Sequence, residues 1–296
     1  MSPIRHRTSS TCAHRTETPR PPGNFTRPTE GVRHHAALEE QFAQLRCEHD
    51  DLRRTLFEAA QVQRKLCGPR YRRFGAFEVA SEIFPVRHLS GDFVSLFECA
   101  GDLVFAIGDI SGKGLPAGMW FTHVVSLLRQ EFEVCGDPAA TLSAVNRDLL
   151  RSRLDVPLTT LFLACLHLNT AEVTYCNAGH PPALLLRANG QVESLQEGGP
   201  LMGVVTGAGF ANGQVALRAG DTLLGYSDGI VECRNPEGFD FGVERLLAAA
   251  QMDGGAASAT LFSVLGAVED FAGCHPREDD MAVIAVHVAG ELINGT

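Results

Sequence analysis

The 296-residue chain is 45% hydrophobic with a net charge of −10, so it can bury a sizeable core and is a poor match for nucleic acid as a main partner. Its nine cysteines are odd in number, scattered and without a CxxC pair, which indicates neither a zinc knuckle nor a disulfide framework and points to a reduced, cytoplasmic compartment. No signal-peptide core opens the sequence and no apolar run reaches the roughly 18 residues of a membrane span, so neither is expected.

Residues 1–33 combine Thr, Ser, Pro and Arg with hardly an apolar side chain, which predicts a disordered tail. Arg5, Arg7, Arg15, Arg20, Arg27 and Arg33 outnumber Glu17 and Glu30, so the tail is basic. From 34 to 67 the pattern turns helical. Leu38, Leu45, Leu52, Ala59 and Leu66 recur every seven residues, with Phe42, His49, Leu56 and Gln63 interleaved. This heptad seam predicts a coiled coil or helical hairpin, the alternative being one amphipathic helix packed on the main domain. His49 and Gln63 are polar seam positions that weaken it. Either way the helix is a natural place for an activator or a second copy to act.

Residues 68–290 alternate strands and helices, leaving 291–296 as a short tail. Phe77 to Phe84 reads as a strand. Asp92 to Glu98 and Leu103 to Asp109 flank Ala100-Gly101 and read as a hairpin. A two-residue loop there sets Cys99 against Asp102 and, at the open end, Asp92 against Asp109. Two facing carboxylates repel unless a cation sits between them. Gly108-Asp109-Ile110-Ser111-Gly112-Lys113-Gly114 then delivers the chain to a helix over 115–135 with Pro116 in its first turn. Such a turn presents amides and a helix N-terminus to an anion. It is not a nucleotide P-loop, because Gly108 and Gly112 enclose three residues and Gly114 follows Lys113.

Asp137-Pro138 predicts an N-cap and the first turn of a second helix, to about Leu154. A second hairpin spans Thr159 to Cys176, and Ala183 to Arg187 resumes an apolar strand. Asp221 to Tyr226 is a strand ending in Ser227-Asp228-Gly229. Helices at about 242–252 and 257–272 precede a last strand, Met281 to Val288, opened by Asp279-Asp280. The order predicts an α+β fold with two antiparallel sheets packed together and helices outside. Asp92, Asp109, Asp228 and Asp279-Asp280 all stand at strand ends. Four such places, each beside Gly or another acid, suggest convergence on divalent cations with oxygen ligands, Mg or Mn.

Ser90-Gly91-Asp92, the 108–114 turn, Asn177-Ala178-Gly179-His180, Tyr226-Ser227-Asp228-Gly229 with Glu232, and Asp279-Asp280-Met281 stand in an order and spacing that resembles the SpoIIE/RsbU branch of the PPM metal-dependent Ser/Thr protein phosphatases. The resemblance covers about residues 55–290. It implies a four-layer α-β-β-α sandwich with two Mn or Mg ions in a cleft between sheet ends. Position by position it makes Asp109 the bridging aspartate, Ile110 a carbonyl ligand, and Asp92, Asp228 and Asp279 the remaining metal ligands. Asp279 is preferred to Asp280 because one polar residue separates the family's ligand from the strand. Lys113 is a candidate phosphate contact. Ser111 stands where eukaryotic relatives carry a His, which leaves the proton donor open, and Ala282 where a Thr is common.

The implied reaction is hydrolysis of a phosphoserine or phosphothreonine by a metal-activated water, without a Cys nucleophile. His180 reads as a structural, hydrogen-bonded histidine and Cys233 as packing. The implied substrate is a phosphorylated anti-sigma-factor antagonist, with regulation through residues 34–66. Two rivals stand beside this reading. One is a pseudophosphatase that docks a partner through its helix. The other is a Ca-binding structural domain, for which the EF-hand loop pattern is absent.

Overall fold

The computed structural model describes residues 30–152, 155–252 and 255–290. The expected basic tail, as far as residue 29, and the expected tail at 291–296 lie outside them. Helix α1 (Glu30–Cys67) leads into strands β1 (Tyr71–Phe74), β2 (Phe77–Phe84), β3 (Phe93–Cys99) and β4 (Asp102–Ile110). Helices α2 (Leu115–Cys135) and α3 (Pro138–Arg151) come next, then β5 (Thr159–His167), β6 (Glu172–Ala178), β7 (Ala183–Leu186), β8 (Val192–Leu195), β9 (Gly198–Gly199), β10 (Gly213–Ala216) and β11 (Thr222–Tyr226). The chain closes with α4 (Asp228–Val231), α5 (Gly242–Gln251), α6 (Ala257–Ala272) and β12 (Met281–Val288). The part of α1 up to Asp51 forms one compact unit, and everything from Leu52 a second. In the first, Leu38, Phe42 and Leu45 are exposed. No described helix is long and apolar enough to cross a membrane.

Two sheets make the body. One runs β1-β2-β12-β11-β7-β8, the other β10-β6-β5-β4-β3 with β9 added in parallel to β6. Strand parity explains the layering. Leu103, Phe105 and Ile107 of β4 and Ala282, Ile284, Val286 and Val288 of β12 meet in the core between the sheets. The alternate residues, Val104, Ala106 and Ile110, pack under α2 and α3, while Met281, Val283 and Ala285 pack under α5 and α6. Both faces of each sheet are covered, so the central strands read as unbroken apolar runs. The result is the four-layer α-β-β-α sandwich expected from the sequence. The Asp137 carboxylate caps α3 by accepting from the Ala140 amide at 2.8 Å.

The strands that sequence patterning misses are β1, β8, β9 and β10. β1, β8 and β10 are sheet edges and largely exposed, so they carry no buried face to pattern. One boundary also differs. Asp228 opens the single turn of α4 instead of ending β11.

Phe105 has no exposed surface and sits in the inter-sheet core, whereas Phe262 on α6 is 71% exposed. In urea unfolding, Phe105→Ala is expected to cost about 3–5 kcal/mol. Phe262→Ala is expected to stay within about 0.5 kcal/mol of the native chain.

Candidate active site

The β3–β4 hairpin sets the first two acids. Its register pairs Cys99 with Asp102 and Phe93 with Gly108, so Asp92 comes opposite Asp109 one step further on. Both keep the parity of residues that face the other sheet, Val94 and Leu96 on β3 and Ile107 on β4. Two carboxylates therefore project between the sheets at one end of the sandwich. Asp228 arrives from the other sheet, at the first position of α4, and one ligand oxygen from each of Asp92, Asp109 and Asp228 lies within 4.8 Å of the other two.

The surroundings hold these groups tightly. Gly91 has no room for a side chain, since a Cβ there would lie 2.6 Å from the Ile110 carbonyl oxygen and 3.3 Å from an Asp109 oxygen. The Ile110 carbonyl thus lies at the edge of the same cluster. Gly229 is under the same constraint, because a Cβ would collide with the Asp280 carbonyl. Asp280 is not in the cluster. Its two oxygens accept from the Val86 amide at 2.7 Å and the Gly91 amide at 2.8 Å, tying β12 to the loop that carries Asp92. Asp279 stands at the rim, half exposed, with its carboxylate 2.7 Å from the Lys113 ammonium. Lys113 also donates to the Glu278 carbonyl at 2.7 Å.

Electrostatically the cluster is unfavourable on its own. Burial first, and the neighbouring Asp109, Asp228 and Asp280 next, push Asp92 well above the usual carboxylate range, against the opposing hydrogen bond from Ser227. Burial, then Asp228 and Asp279, push Asp109 up to about 6. Asp228 is raised by burial and by Asp279. One oxygen of buried Asp92 has no hydrogen-bond partner. One buried and two partly buried acids that repel one another, the buried one with an orphaned oxygen, fit a hard divalent cation held by carboxylate and carbonyl oxygens.

Sequence reading singled out Asp92, Asp109, Ile110, Asp228, Asp279 and Lys113, and all six come to this end of the sandwich. It missed the supporting roles of Gln63 and Ser227, while the structure finds His180 as the hydrogen-bonded structural histidine the sequence suggests. Gln63 was read as a weak point of the heptad seam. In the structure its buried side chain brackets Ser90, donating to the Ser90 carbonyl at 2.8 Å and accepting from the Ser90 amide at 3.2 Å. Ser227 is fully buried and accepts from the Ala282 amide at 2.9 Å. His180 is held by Asn177, whose side chain donates to the His180 carbonyl and accepts from the His180 amide. Its ring Nδ1 lies 2.9 Å from the Thr160 hydroxyl, and Thr160 pairs with Asp109 across β4 and β5. Burial pushes His180 down to about 3, so the ring is neutral near pH 7. The available signal for Gln63 was its polarity in a mostly apolar seam, a signal shared by His49, and the partner of such a residue is not written locally.

A sandwich of two antiparallel sheets flanked by helices, with carboxylates converging between the sheet ends, defines the PP2C-type class of phosphatase folds. Known structures agree. The SiaA-PP2C domain of Pseudomonas aeruginosa superposes with a TM-score of 0.70 at 18% identity, covering 81% of this chain and 98% of that one. The PP2C phosphatase domain with a fragment of the regulatory domain of SpoIIE from Bacillus subtilis gives 0.63 at 22% identity, covering 74% and 62%. The profile of the family described as Stage II sporulation protein E (SpoIIE) matches residues 100–289, and the chain belongs to that family. Phosphoserine phosphatase RsbU of Bacillus subtilis (strain 168) is 26% identical over 183 residues, 61% of this chain and 54% of the relative. The chain thus spans about half the length of that relative.

Two outcomes are expected from this geometry. In chelator, Asp109→Asn should raise the melting temperature at pH 7. An acid lifted from 3.8 to about 6 in the folded state carries a penalty that is full above about pH 6 and absent below about pH 4. The gain should therefore vanish in acid, and Mn should reverse the order of the two proteins at pH 7. Gln63→Ala strips Ser90 of both bonds, so it should cost about 1–3 kcal/mol in denaturant unfolding. It should also weaken Mn binding about tenfold in a thermal-shift titration, as loss of a supporting hydrogen bond does elsewhere.

Proposed function

We propose that this chain is a divalent-cation-dependent protein phosphatase that hydrolyses a phosphoserine or phosphothreonine on a regulatory protein. The observation that carries the proposal is the convergence of Asp92, Asp109 and Asp228 within 4.8 Å, with Asp279 at the rim. Two cations, Mn or Mg, would be held by Asp92, Asp109, Asp228, Asp279 and the Ile110 carbonyl. When bound they supply neutralising charge and an acidified water.

The chain's own residues do the rest. Asp109, within 4.8 Å of both Asp92 and Asp228, would be the ligand that the cations share. Asp280 fixes the loop that leads to Asp92 through the Val86 and Gly91 amides, which is why Asp279 and not Asp280 is given the ligand role. Lys113, held at the rim by Asp279, places a positive charge where a phosphate enters. No cysteine serves as nucleophile: Cys233 is partly buried against the α5–α6 core. Neutral, buried His180 positions Thr160 beside Asp109 and is not a proton donor.

The substrate we propose is a phosphorylated anti-sigma-factor antagonist in the cytoplasm. Family membership and the relative named as a phosphoserine phosphatase support it. Control would come through residues 34–66, by an activator or a second copy, because α1 exposes Leu38, Phe42, Leu45 and Leu52 and grips Ser90 at its other end. The test is Mn-dependent phosphate release from a phosphoserine protein. Asp228→Asn should lower turnover at least about 100-fold, the scale of losing one strong electrostatic contact to the transition state. Absence of turnover with any divalent metal would favour a pseudophosphatase. Turnover untouched by the substitution would remove Asp228 from the site.

A further inference from the structure

A second convergence of ligating side chains stands at the opposite end of the same sheet. The register sets Cys99 against Asp102, Val104 against Cys165, and Cys165 against Thr174. Residues two apart on a strand share a face, so Asp102 and Val104 on β4, Cys165 and His167 on β5, and Thr174 on β6 all project on one side. That side is the one covered by α2 and α3. Asp102 Oδ2 lies 2.7 Å from His167 Nδ1, and Asp102 Oδ1 accepts from the Leu168 amide at 3.3 Å. His167 Nε2 lies 3.5 Å from the Thr174 hydroxyl. One ligand atom from each of Asp102, Cys165 and His167 falls within 4.8 Å of the other two. Cys165 is buried beneath the pair, while the side chains of His167 and Asp102 are 37% and 26% exposed. The group has a thiol floor and a side open to water.

We infer that Asp102, Cys165 and His167 form a site for a divalent transition ion of borderline softness, with Zn2+ as its occupant and water as the fourth ligand. The donor set decides the metal. Sulfur, nitrogen and oxygen together suit zinc, whereas Mg, Mn and Ca take oxygen. In a tetrahedral site with metal–ligand lengths of about 2.0–2.3 Å, ligand atoms stand about 3.5 Å apart. Reaching that spacing needs only side-chain adjustment: the 2.7 Å contact between Asp102 and His167 opens, wider separations close, and both side chains have solvent to move in. Support is in place, because the Leu168 amide orients Asp102 and the Thr174 hydroxyl stands beside His167.

The site is remote from the carboxylate cluster. Asp102 and Asp109 lie at opposite ends of β4, about 23 Å apart at the usual strand rise. A metal here clamps neighbouring strands instead of taking part in phosphate chemistry, so it should stabilise the fold by mass action. Burial, then Asp102 and Cys99, push the Cys165 thiol up to about 12, so metal uptake releases a proton and weakens as pH falls.

Cobalt provides the test. The full chain is titrated with Co2+ in excess Mg2+, which saturates oxygen-only sites. One equivalent should give a thiolate-to-cobalt charge-transfer band in the near ultraviolet, and Zn2+ should remove it by displacement. Cys165→Ala should abolish the band. His167→Gln, at a partly exposed position, should weaken Co2+ at least about 100-fold, the upper end of what a supporting residue alone costs. Absence of the band from the native chain overturns the site, as does a band that survives either substitution at native affinity. Should Cys165→Ala fail to fold, His167→Gln decides alone.

Discussion

Everything in this molecule bends to one unfavourable contact. A two-residue turn and an antiparallel register bring Asp92 and Asp109 face to face between two sheets, where water is scarce and like charges repel. Asp228 joins them from the second sheet and raises the cost. A fold does not assemble one buried and two partly buried acids for stability. They persist because the rest of the sandwich holds them and because a cation can offset the repulsion.

The holding is distributed over distant parts of the chain. Asp280 ties the last strand to the Gly91 amide, Gly229 lets α4 lie against Asp280, and Ser227 joins α4 to β12. Gln63 binds the backbone of Ser90, two residues before Asp92. A change at the end of α1 therefore reaches a candidate metal ligand through two hydrogen bonds and two peptide links. This is a short physical link between the end of α1 and a site built mainly from strand ends.

The same sheet sets two clusters of potential ligands at its two ends. At one, oxygen ligands converge between the sheets. At the other, Asp102, Cys165 and His167 converge on the helix-covered face. Strand parity separates them: Asp109 shares its face with Ile107, and Asp102 with Val104. Their different donors would favour different ions.

By itself the sequence determined the local periods and their punctuation. Heptads, alternating or continuous apolar runs, an Asp-Pro cap and Gly-rich turns are short-range signals, and they suffice for most elements, for the hairpin that opposes Asp92 and Asp109, and for the family resemblance. The edge strands β1, β8 and β10 were illegible because an exposed edge buries no face that would select apolar residues. Only the tertiary structure decided which adjacent acid braces the loop and which stands at the rim. Asp279 and Asp280 are chemically identical, and they differ only in which amides the fold brings to them. It alone decided that Gln63 grips Ser90 and that Asp102 meets Cys165 and His167. Those contacts join residues dozens of positions apart, and no local pattern encodes a partner that the chain reaches only when the sheets close.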